Sequence, residues 1–344
     1  LLPTRKQPRK YRPTDAAGLG PNLGLCGRST HHLFVYSAGG VLLENTRHPK
    51  HFFGHVRVFL FGRASVACLR FVGAAMACCG GQCSHIVARQ LYSVFETESK
   101  TMIKAILTGH SKGLGLGIAR ALLQQGHAVL GISRSQNIEL QQQYNEDLQQ
   151  ISLDLAQPGA LEQLESSPQL LKFIANATQL LLINNAGLVS PIGPLSAQAT
   201  VDISRSVQLN VAVPLALSAL LARKILGTQQ LRILHVSSGA AQSAYPGWSV
   251  YCATKAALDM HARAVQQDQL PNVAICSLAP GVIDTAMQTQ IRETDESLFP
   301  NKQRFIQLKK SNSLSSPEST GERLVQYLLS PNFGRLAVDD LRAH

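Results

Sequence analysis

A short apolar segment that runs into closely spaced glycines is the feature that most constrains how this chain can fold. Ile103–Thr108 is typical of a buried strand, and Gly109, Gly113 and Gly115 follow it at a Gly-x-x-x-Gly-x-Gly spacing. The next segment, Ile118–Gln125, predicts a helix. Glycines permit a tight turn and let a phosphate group approach the first N–H groups of such a helix. The segment therefore predicts a phosphate-binding unit, and a glycine-rich loop without a ligand is the open alternative.

Strand-like and helical segments continue to alternate beyond this unit. Such alternation favours a parallel sheet with helices on both faces, in which ligands bind beyond the carboxyl ends of the strands. We therefore predict an α/β fold, a Rossmann-type doubly wound parallel sheet, formed as a single domain by residues 102–344. The further apolar runs that predict strands are Ala128–Ser133, Leu180–Ile183, Leu231–Val236 and Val273–Leu278.

Tyr251 and Lys255 are spaced so that they share one face of a helix. A phenol has a reference pKa of about 10, and a fixed ammonium group beside it favours the phenolate, so we expect Lys255 to lower the pKa of Tyr251. Ser238 ends a predicted strand upstream and could hold a substrate oxygen against the phenol. Ser237 is the competing serine for this role. Together these side chains predict a proton-transfer site.

These segments resemble the short-chain dehydrogenase/reductase family, and the resemblance covers residues 102–344. The family's motifs all occur, in the order in which the family has them. They are Thr108-Gly109-x-x-x-Gly113-x-Gly115, Asp154-Leu155, Asn184-Asn185-Ala186-Gly187, Asn210, Ser238 with Tyr251 and Lys255, and Pro280-Gly281-Val282-Ile283-Asp284-Thr285.

The resemblance implies an enzyme that reduces a carbonyl group, with NADPH as the hydride donor and Tyr251 as the proton donor. It implies that Asn210, Ser238, Tyr251 and Lys255 are catalytic, with Asn210 holding a water that connects Lys255 to solvent. The alternative for Asn210 is a helix-interior amide satisfied by the backbone. The cofactor-binding residues that the resemblance implies are Thr108, Gly109, Ser111, Lys112, Gly113, Leu114, Gly115, Ser133, Arg134, Asp154, Leu155, Asn185, Ala186, Gly187, Tyr251, Lys255, Pro280, Gly281, Ile283 and Thr285.

Charge at the end of the second predicted strand favours NADPH/NADP+ over NADH. NAD-binding folds place a carboxylate there for the ribose hydroxyls, whereas this strand ends in Ser133-Arg134. Arg134 could clamp a 2′-phosphate, Ser133 and Ser135 could add hydrogen bonds, and Lys112 offers a second cation. The alternative is that Arg134 is a solvated loop charge.

The segment from Pro280 to Thr294 is similar to the sepiapterin reductase branch of the family, which includes bacterial benzil reductases. This similarity implies a vicinal diketone or a related aromatic carbonyl as substrate. In sepiapterin reductase an aspartate near the C-terminus anchors the pterin, so we expect Asp339 to line the substrate pocket. Trp248 lies between Ser238 and Tyr251, and we expect it to form a pocket wall.

Residues 1–101 differ in composition from the rest of the chain. They hold 13 Lys and Arg against 4 Asp and Glu, which is +9 of the formal charge of +11, and five of the seven cysteines. Glycine, proline and charged residues interrupt every apolar run, and the arginines in the most apolar stretch, 56–79, argue against a membrane span. We expect a poorly structured basic extension, with the hypothesis that it is not part of the natural protein. Its Cys78-Cys79-x-x-x-Cys83-x-His85 cluster matches no regular zinc motif, so no metal site is predicted.

Other classes of function stay open at this stage. One is an alcohol dehydrogenase or 3-oxoacyl-type reductase of the same family, and another is a nucleotide-binding regulator without turnover. A third is a nucleic-acid or membrane binder that acts through the basic extension, although that extension lacks a dense Lys/Arg run. We expect a small-molecule carbonyl substrate, no nucleic-acid or membrane partner, a homodimer or homotetramer, and a cytoplasmic location.

Overall fold

The computed structural model describes residues 41–46, 55–60, 102–225 and 227–344. The chain divides into two units, Leu1–Ser99 and Lys100–His344. In the first unit, β1 (Val41–Thr46) and β2 (His55–Leu60) pair antiparallel, with Val41 opposite Leu60. The sequence did not predict this two-stranded ladder. The expected lack of structure in the rest of the extension, and its Cys78–His85 cluster, concern residues outside the described ranges.

A seven-stranded parallel sheet forms the centre of the second unit. Its order is β5-β4-β3-β6-β7-β8-β9, and every neighbouring pair is parallel. The chain runs outward from β3 to β5 and then returns to the other side of β3, which opens a crevice at the carboxyl ends of β3 and β6. The predicted doubly wound sheet is confirmed. The strands are β3 (Ile103–Thr108), β4 (Ala128–Ser133), β5 (Leu148–Ser152), β6 (Gln179–Asn184), β7 (Gln230–Val236), β8 (Val273–Ala279) and β9 (Val338–Asp340).

Helices cover both faces of this sheet. Because alternate residues of a strand point to opposite faces, Ala105 and Leu107 join one apolar core and Ile106 joins the other. The helices are α1 (Gly113–Gln124), α2 (Ile138–Gln143), α3 (Ala160–Glu165), α4 (Pro168–Ile174), α5 (Thr200–Val207), α6 (Val213–Lys224), α7 (Ser249–Gln267), α8 (Ala286–Glu293), α9 (Lys302–Lys310) and α10 (Pro317–Leu329).

The helix that follows the glycine turn begins earlier than predicted. α1 begins at Gly113, five residues before the expected start, because two of the turn glycines adopt the first helical turn. α7 begins at Ser249, so Tyr251 and Lys255 both lie in its first two turns. Glycine lowers helix propensity in the sequence, and close contact with the rest of the fold overrides that preference here.

α1 and α10 cross at two glycines. A Cβ atom on Gly117 would lie 2.1 Å from the carbonyl oxygen of Pro317, and one on Gly321 would lie 2.4 Å from the carbonyl carbon of Gly117. Such distances are far inside van der Waals contact, so the two helix backbones touch directly at this point. The apolar core under them contains Ile118, Leu122, Leu324, Val325 and Leu328.

The segment from α5 to α6 is one long helical stretch, with a π-turn at Gln208–Ala212 between them. Among the described residues, this Thr200–Lys224 stretch is the one helix that is long and apolar enough to cross a membrane by length and composition. Its residues Val213, Leu217 and Leu221 are buried in the core beside the sheet. These contacts are those of a core helix.

Candidate active site

A cavity of about 670 Å³ opens at the carboxyl ends of the parallel strands. It lies at the crevice that the sheet topology creates, where open α/β sheets bind their ligands. The structure brings most of the residues singled out from the sequence to its wall. These are Gly109, Ser111, Lys112, Gly113, Leu114, Gly115, Ser133, Arg134, Asp154, Leu155, Asn185, Ala186, Gly187, Ser238, Trp248, Tyr251, Lys255, Pro280, Gly281, Ile283 and Thr285.

The glycine turn provides a surface that fits a phosphate group. Gly109 has a φ of 71° and Gly113 one of 56°, values that glycine adopts without strain. A Cβ on Gly115 would lie 2.0 Å from the carbonyl oxygen of Gly109, so only glycine permits this close turn. No side chain caps the start of α1, and its first turn holds no acidic residue. The first N–H groups of α1 and its positive dipole end are thus available to an anion.

Thr108 is directed away from the cavity, in contrast to the expectation that it contacts the cofactor. Its side chain is buried, and its hydroxyl oxygen accepts hydrogen bonds of 3.0 Å from the backbone N–H groups of Asn185 and Ala186. Asn185 in turn donates from its amide to the carbonyl oxygens of Thr108 and Gly109, at 3.0 and 3.2 Å. Thr108 therefore fixes the Asn-Ala-Gly segment against the glycine turn.

Asn210 is also set behind the cavity wall rather than on it. Its Oδ1 accepts from the Leu188 N–H at 2.8 Å, and its Nδ2 donates to the Leu188 carbonyl at 2.8 Å and to Thr254 Oγ1 at 3.2 Å. These contacts match the alternative role for Asn210, a helix-interior amide satisfied mainly by the backbone. Asn210 still lies close to Lys255, since an added Cβ on Gly187 would be 3.3 Å from Asn210 Oδ1 and 3.8 Å from Lys255 Nζ.

Asp339 does not line the cavity, so the structure does not place it where the substrate expectation put it. Its carboxylate accepts from Tyr327 OH at 2.6 Å and lies 2.9 Å from His344 Nε2. The physical reason is the pairing of β9 with β8, which sets Asp339 opposite Leu278 and turns its side chain toward α10. Arg342, three residues after Asp339, reaches the cavity wall instead.

Ser238, Tyr251 and Lys255 converge on the same cavity from two elements. Ser238 follows β7, and Tyr251 and Lys255 lie on α7. Burial raises the pKa of Tyr251 to about 12, and a hydrogen bond with Ser238 opposes that rise. The expected lowering of the Tyr251 pKa by Lys255 is therefore wrong for this arrangement. Lys255 Nζ lies 5.8 Å from the centre of the phenol ring and donates instead to the Val236 carbonyl at 2.8 Å.

Lys255 is itself buried, with consequences for its charge. Loss of hydration lowers the pKa of Lys255 to about 8, and the carboxylate of Asp259 opposes this shift. The ammonium form of Lys255 thus predominates at neutral pH, and the neutral amine becomes the main form above about pH 8. A buried lysine that titrates in this range can exchange a proton under physiological conditions.

Basic and hydroxyl side chains surround the cavity end next to β4 and the glycine turn. Ser111 Oγ lies 3.2 Å from Ser135 Oγ, and the Ser133 hydroxyl donates to the Ser135 carbonyl at 2.6 Å. Arg134 and Lys112 line the same region, and the sequence holds no acid at the end of β4. Asp154 is paired with Arg205 at 2.9 Å, so its charge is already compensated.

The opposite end of the cavity has an aromatic wall that the sequence revealed only in part. Trp248 stacks on Phe299 with ring centres 4.6 Å apart, and Phe305 packs against both rings. Arg304 at the rim donates to Tyr245 OH at 3.3 Å. The signal that could have identified Phe305 is its helical spacing to Leu308, which places these two side chains on one face.

Known proteins share this chain's sequence and architecture over the second unit. A family model described as short chain dehydrogenase matches residues 104–296. Benzil reductase ((S)-benzoin forming) of Bacillus cereus is 36% identical over 237 residues, which cover 66% of this chain and 94% of that protein. Sepiapterin reductase of Rattus norvegicus is 30% identical over 243 residues, 66% of this chain and 92% of that protein.

A solved structure extends the similarity to three dimensions. A short-chain dehydrogenase/reductase from Burkholderia vietnamiensis is 42% identical, with a TM-score of 0.52, and the match covers 70% of this chain and 98% of that one. The matched residues include the glycine turn and the Ser-Tyr-Lys group that face the cavity. By its sequence and its fold, the chain belongs to the short-chain dehydrogenase/reductase family of oxidoreductases.

Proposed function

We propose that this enzyme uses NADPH to reduce the carbonyl group of a small aromatic ketone or vicinal diketone. The observation that carries the proposal is the convergence of Ser238, Tyr251 and Lys255 on the cavity that also holds the glycine turn. A proton donor and an anion-binding helix end in one cavity are what carbonyl reduction with a dinucleotide requires. The bound cofactor would supply the hydride.

The raised pKa of Tyr251 supports its role as the acid. With a pKa of about 12, the phenol stays protonated at neutral pH and has a proton to give. A carbonyl oxygen becomes far more basic as negative charge develops on it, so transfer from the phenol is then favourable. The Ser238 hydroxyl, which is hydrogen-bonded to Tyr251, orients the same oxygen by donating to it.

Lys255 is proposed to hold the cofactor ribose and to stabilise the phenolate that remains on Tyr251 after transfer. Its ammonium group lies on the same helix face, one turn from Tyr251. Asn185, Gly187 and Thr285 line the neighbouring wall and are proposed to contact the nicotinamide part. Asn210, set behind Gly187, would act on Lys255 through the backbone it anchors.

The choice of NADPH rests on Arg134 and Lys112. Both line the cavity beside Ser133, and neither has an acidic partner within the ranges that the structure describes. A guanidinium group can bind a phosphate through two parallel hydrogen bonds. NADH carries only ribose hydroxyls at this place and cannot form that pair of bonds.

The aromatic wall supports an aromatic substrate. Tyr245, Trp248 and Phe305 line the cavity on the side of Ser238 and Tyr251, together with Met287 and Ile291. Flat apolar surfaces of this kind bind aryl rings with favourable stacking. The similar proteins named benzil reductase and sepiapterin reductase favour the same class of substrate for this chain.

The experiment is a steady-state assay of NADPH oxidation with benzil, other aryl diketones and sepiapterin. We expect turnover with at least one aryl diketone, and a loss of about 10²–10⁴ in kcat for Tyr251→Phe, the range of general acid catalysis. Tyr144→Phe, at a tyrosine that does not line the cavity, is the control and should keep wild-type turnover. Near-normal turnover by Tyr251→Phe would falsify the mechanism.

The proposal extends to the catalytic domain, its location and its oligomeric state. We propose that residues 102–344 form the catalytic domain, that it works in the cytoplasm, and that it assembles as a homodimer or homotetramer. Val201 and Val207 on α5 and Met260 on α7 are exposed apolar side chains that a second copy could cover. Light scattering on the purified protein measures the oligomeric state, and a monomer at micromolar concentration contradicts the assembly.

A further inference from the structure

Asp259 is a buried carboxylate that connects three elements beneath the reactive residues. One oxygen, Oδ1, accepts hydrogen bonds of 2.7 Å from both the Ser237 and the Ser277 hydroxyls. Asp259 lies on α7, Ser237 follows β7, and Ser277 lies on β8. All three side chains are buried, so water does not compete for these bonds.

The position of this group ties it to the proposed chemistry. Ser237 precedes Ser238, so its bond to Asp259 joins the end of β7 to the helix that carries Tyr251 and Lys255. Asp259 also follows Lys255 by four residues, which places both side chains on one face of α7. Lys255 is fastened to the same strand end through the Val236 carbonyl.

Asp259 is the charged neighbour that balances Lys255. The other titratable groups facing the pair are Tyr251 on α7, His235 on β7 and Cys276 on β8. Burial raises the pKa values of Tyr251 and Cys276 to about 12 and lowers that of His235 to about 3. All three are therefore neutral near pH 8. Among the described residues, the Asp259 carboxylate is therefore the group whose charge opposes the lowering of the Lys255 pKa by burial.

We propose that Asp259 is a positioning residue that fixes Ser238 relative to α7 and keeps the Lys255 side chain in its ammonium form. The importance of Lys255 for turnover rests on the proposed function. The charge state of Lys255 does not rest on it, because it follows from contacts inside the protein.

The first test measures that charge without any turnover. Competitive acylation of amines, followed by mass spectrometry of the Lys255 peptide, reports the pH at which half of the Lys255 side chain is deprotonated. In the wild-type protein we expect this midpoint near 8. Asp259→Asn keeps the shape and the polar atoms but removes the charge, so its midpoint should fall by about 0.5–1 pH unit.

Ser277→Ala is the matched control. It removes one hydrogen bond from the same carboxylate oxygen and leaves its charge, so the Lys255 midpoint should stay within experimental error of the wild type. Asp259→Ser is a second charge-removing variant, smaller and still polar, for use if the asparagine variant is insoluble. Both substitutions should lower the midpoint in the same direction.

The second test uses the reductase assay. Carbonyl reduction should decline on the alkaline side with the Lys255 midpoint, and Asp259→Asn should move that decline to lower pH by the same amount. An unchanged labelling midpoint in Asp259→Asn overturns the proposal, and so does failure of both charge-removing variants to fold. A shifted midpoint in a protein that reduces no carbonyl supports the role of Asp259 and overturns the proposed function alone.

Discussion

At the scale of single residues, Tyr251 shows that burial outweighs a nearby positive charge. The spacing of Tyr251 and Lys255 suggested a phenol made more acidic by its neighbour, whereas the phenol is made less acidic, with a pKa of about 12. The Lys255 ammonium group donates to the Val236 carbonyl, and its nitrogen lies 5.8 Å from the centre of the phenol ring. The free energy lost when a phenolate is removed from water exceeds the attraction that an ammonium group at this distance provides.

Arg134 carries a residue-scale prediction about cofactor choice. Arg134→Ala should raise the KM for NADPH by roughly 10-fold or more and change that for NADH by less than about 2-fold, because only NADPH presents a 2′-phosphate to the guanidinium group. Steady-state kinetics with both cofactors gives the two ratios.

Arg263→Ala is the control for this prediction, since Arg263 is an exposed arginine on α7 that does not line the cavity. It should leave both KM values unchanged. An equal rise for NADPH and NADH in Arg134→Ala would mean that Arg134 does not read the phosphate.

At the scale of elements, the contact between α1 and α10 depends on the absence of two side chains. The sequence shows Gly117 as one more glycine in a glycine-rich segment, with nothing to distinguish it from Gly113 or Gly115. Only the packed structure separates them. Gly115 allows the close turn next to the cavity, whereas Gly117 lets a second helix backbone approach from the opposite side.

Substitution of either contact glycine should therefore destabilise the fold. Gly117→Ala and Gly321→Ala each place a methyl group within 2.1–2.4 Å of backbone atoms, and the helices must separate to admit it. We expect a net loss of about 1–3 kcal/mol, after an offset of about 1 kcal/mol from the better helix propensity of alanine. Thermal or urea unfolding followed by circular dichroism measures the change.

Gly239→Ala serves as the comparison, because a Cβ at Gly239 meets nothing within 4 Å. It should unfold within about 0.5 kcal/mol of the wild type. Contact glycines that tolerate alanine equally well would show that α1 and α10 do not approach as closely in solution.

At the scale of the whole molecule, buried histidines connect pH to the stability of the fold. His235 is fully buried on β7, where its Nδ1 accepts from the Asn184 amide at 3.1 Å and its Nε2 lies 3.0 Å from His261 Nδ1. Burial, together with smaller effects of the nearby His261 and Lys255 side chains, lowers the pKa of His235 to about 3. His110 is buried beside Gly131, and burial lowers its pKa as well.

Stability should fall as the solution is acidified, with His235 as a main contributor. Unfolded His235 binds a proton below its ordinary pKa of about 6.5, while the folded form stays neutral down to about pH 3. Its contribution is thus fully present above pH 6.5 and is lost as pH falls through that window. We expect this residue to account for about 2–3 kcal/mol of the loss between pH 7 and pH 4.

His235→Gln tests this assignment, because glutamine can still accept from Asn184 but binds no proton in this range. Unfolding free energies measured from pH 7 to pH 4 should decline less steeply for the variant than for the wild type. Parallel curves would show that other groups cause the acid sensitivity.

Local patterns in the sequence determined the architecture and singled out the residues that we propose to be reactive. Apolar runs in the sequence predicted β3, β4, β6, β7 and β8, and each predicted end lies within one residue of the observed end. A strand that is buried on both faces must be apolar throughout. Closely spaced glycines at a helix start are typical of a phosphate-binding turn. Each of these two signals is contained in a few neighbouring residues. The Ser-Tyr-Lys group is likewise readable because its spacing is local.

The tertiary structure decided what depends on residues distant in sequence. It turned Thr108 and Asp339 away from the cavity, toward Asn185 and Tyr327, and it brought Arg304 and Phe305 to the cavity rim. It also set the sign of the Tyr251 pKa shift and gathered Ser237, Asp259 and Ser277 into one hydrogen-bonded group. Burial and long-range hydrogen bonds are properties of the assembled chain, because each depends on which surfaces the sheet and helices bring together.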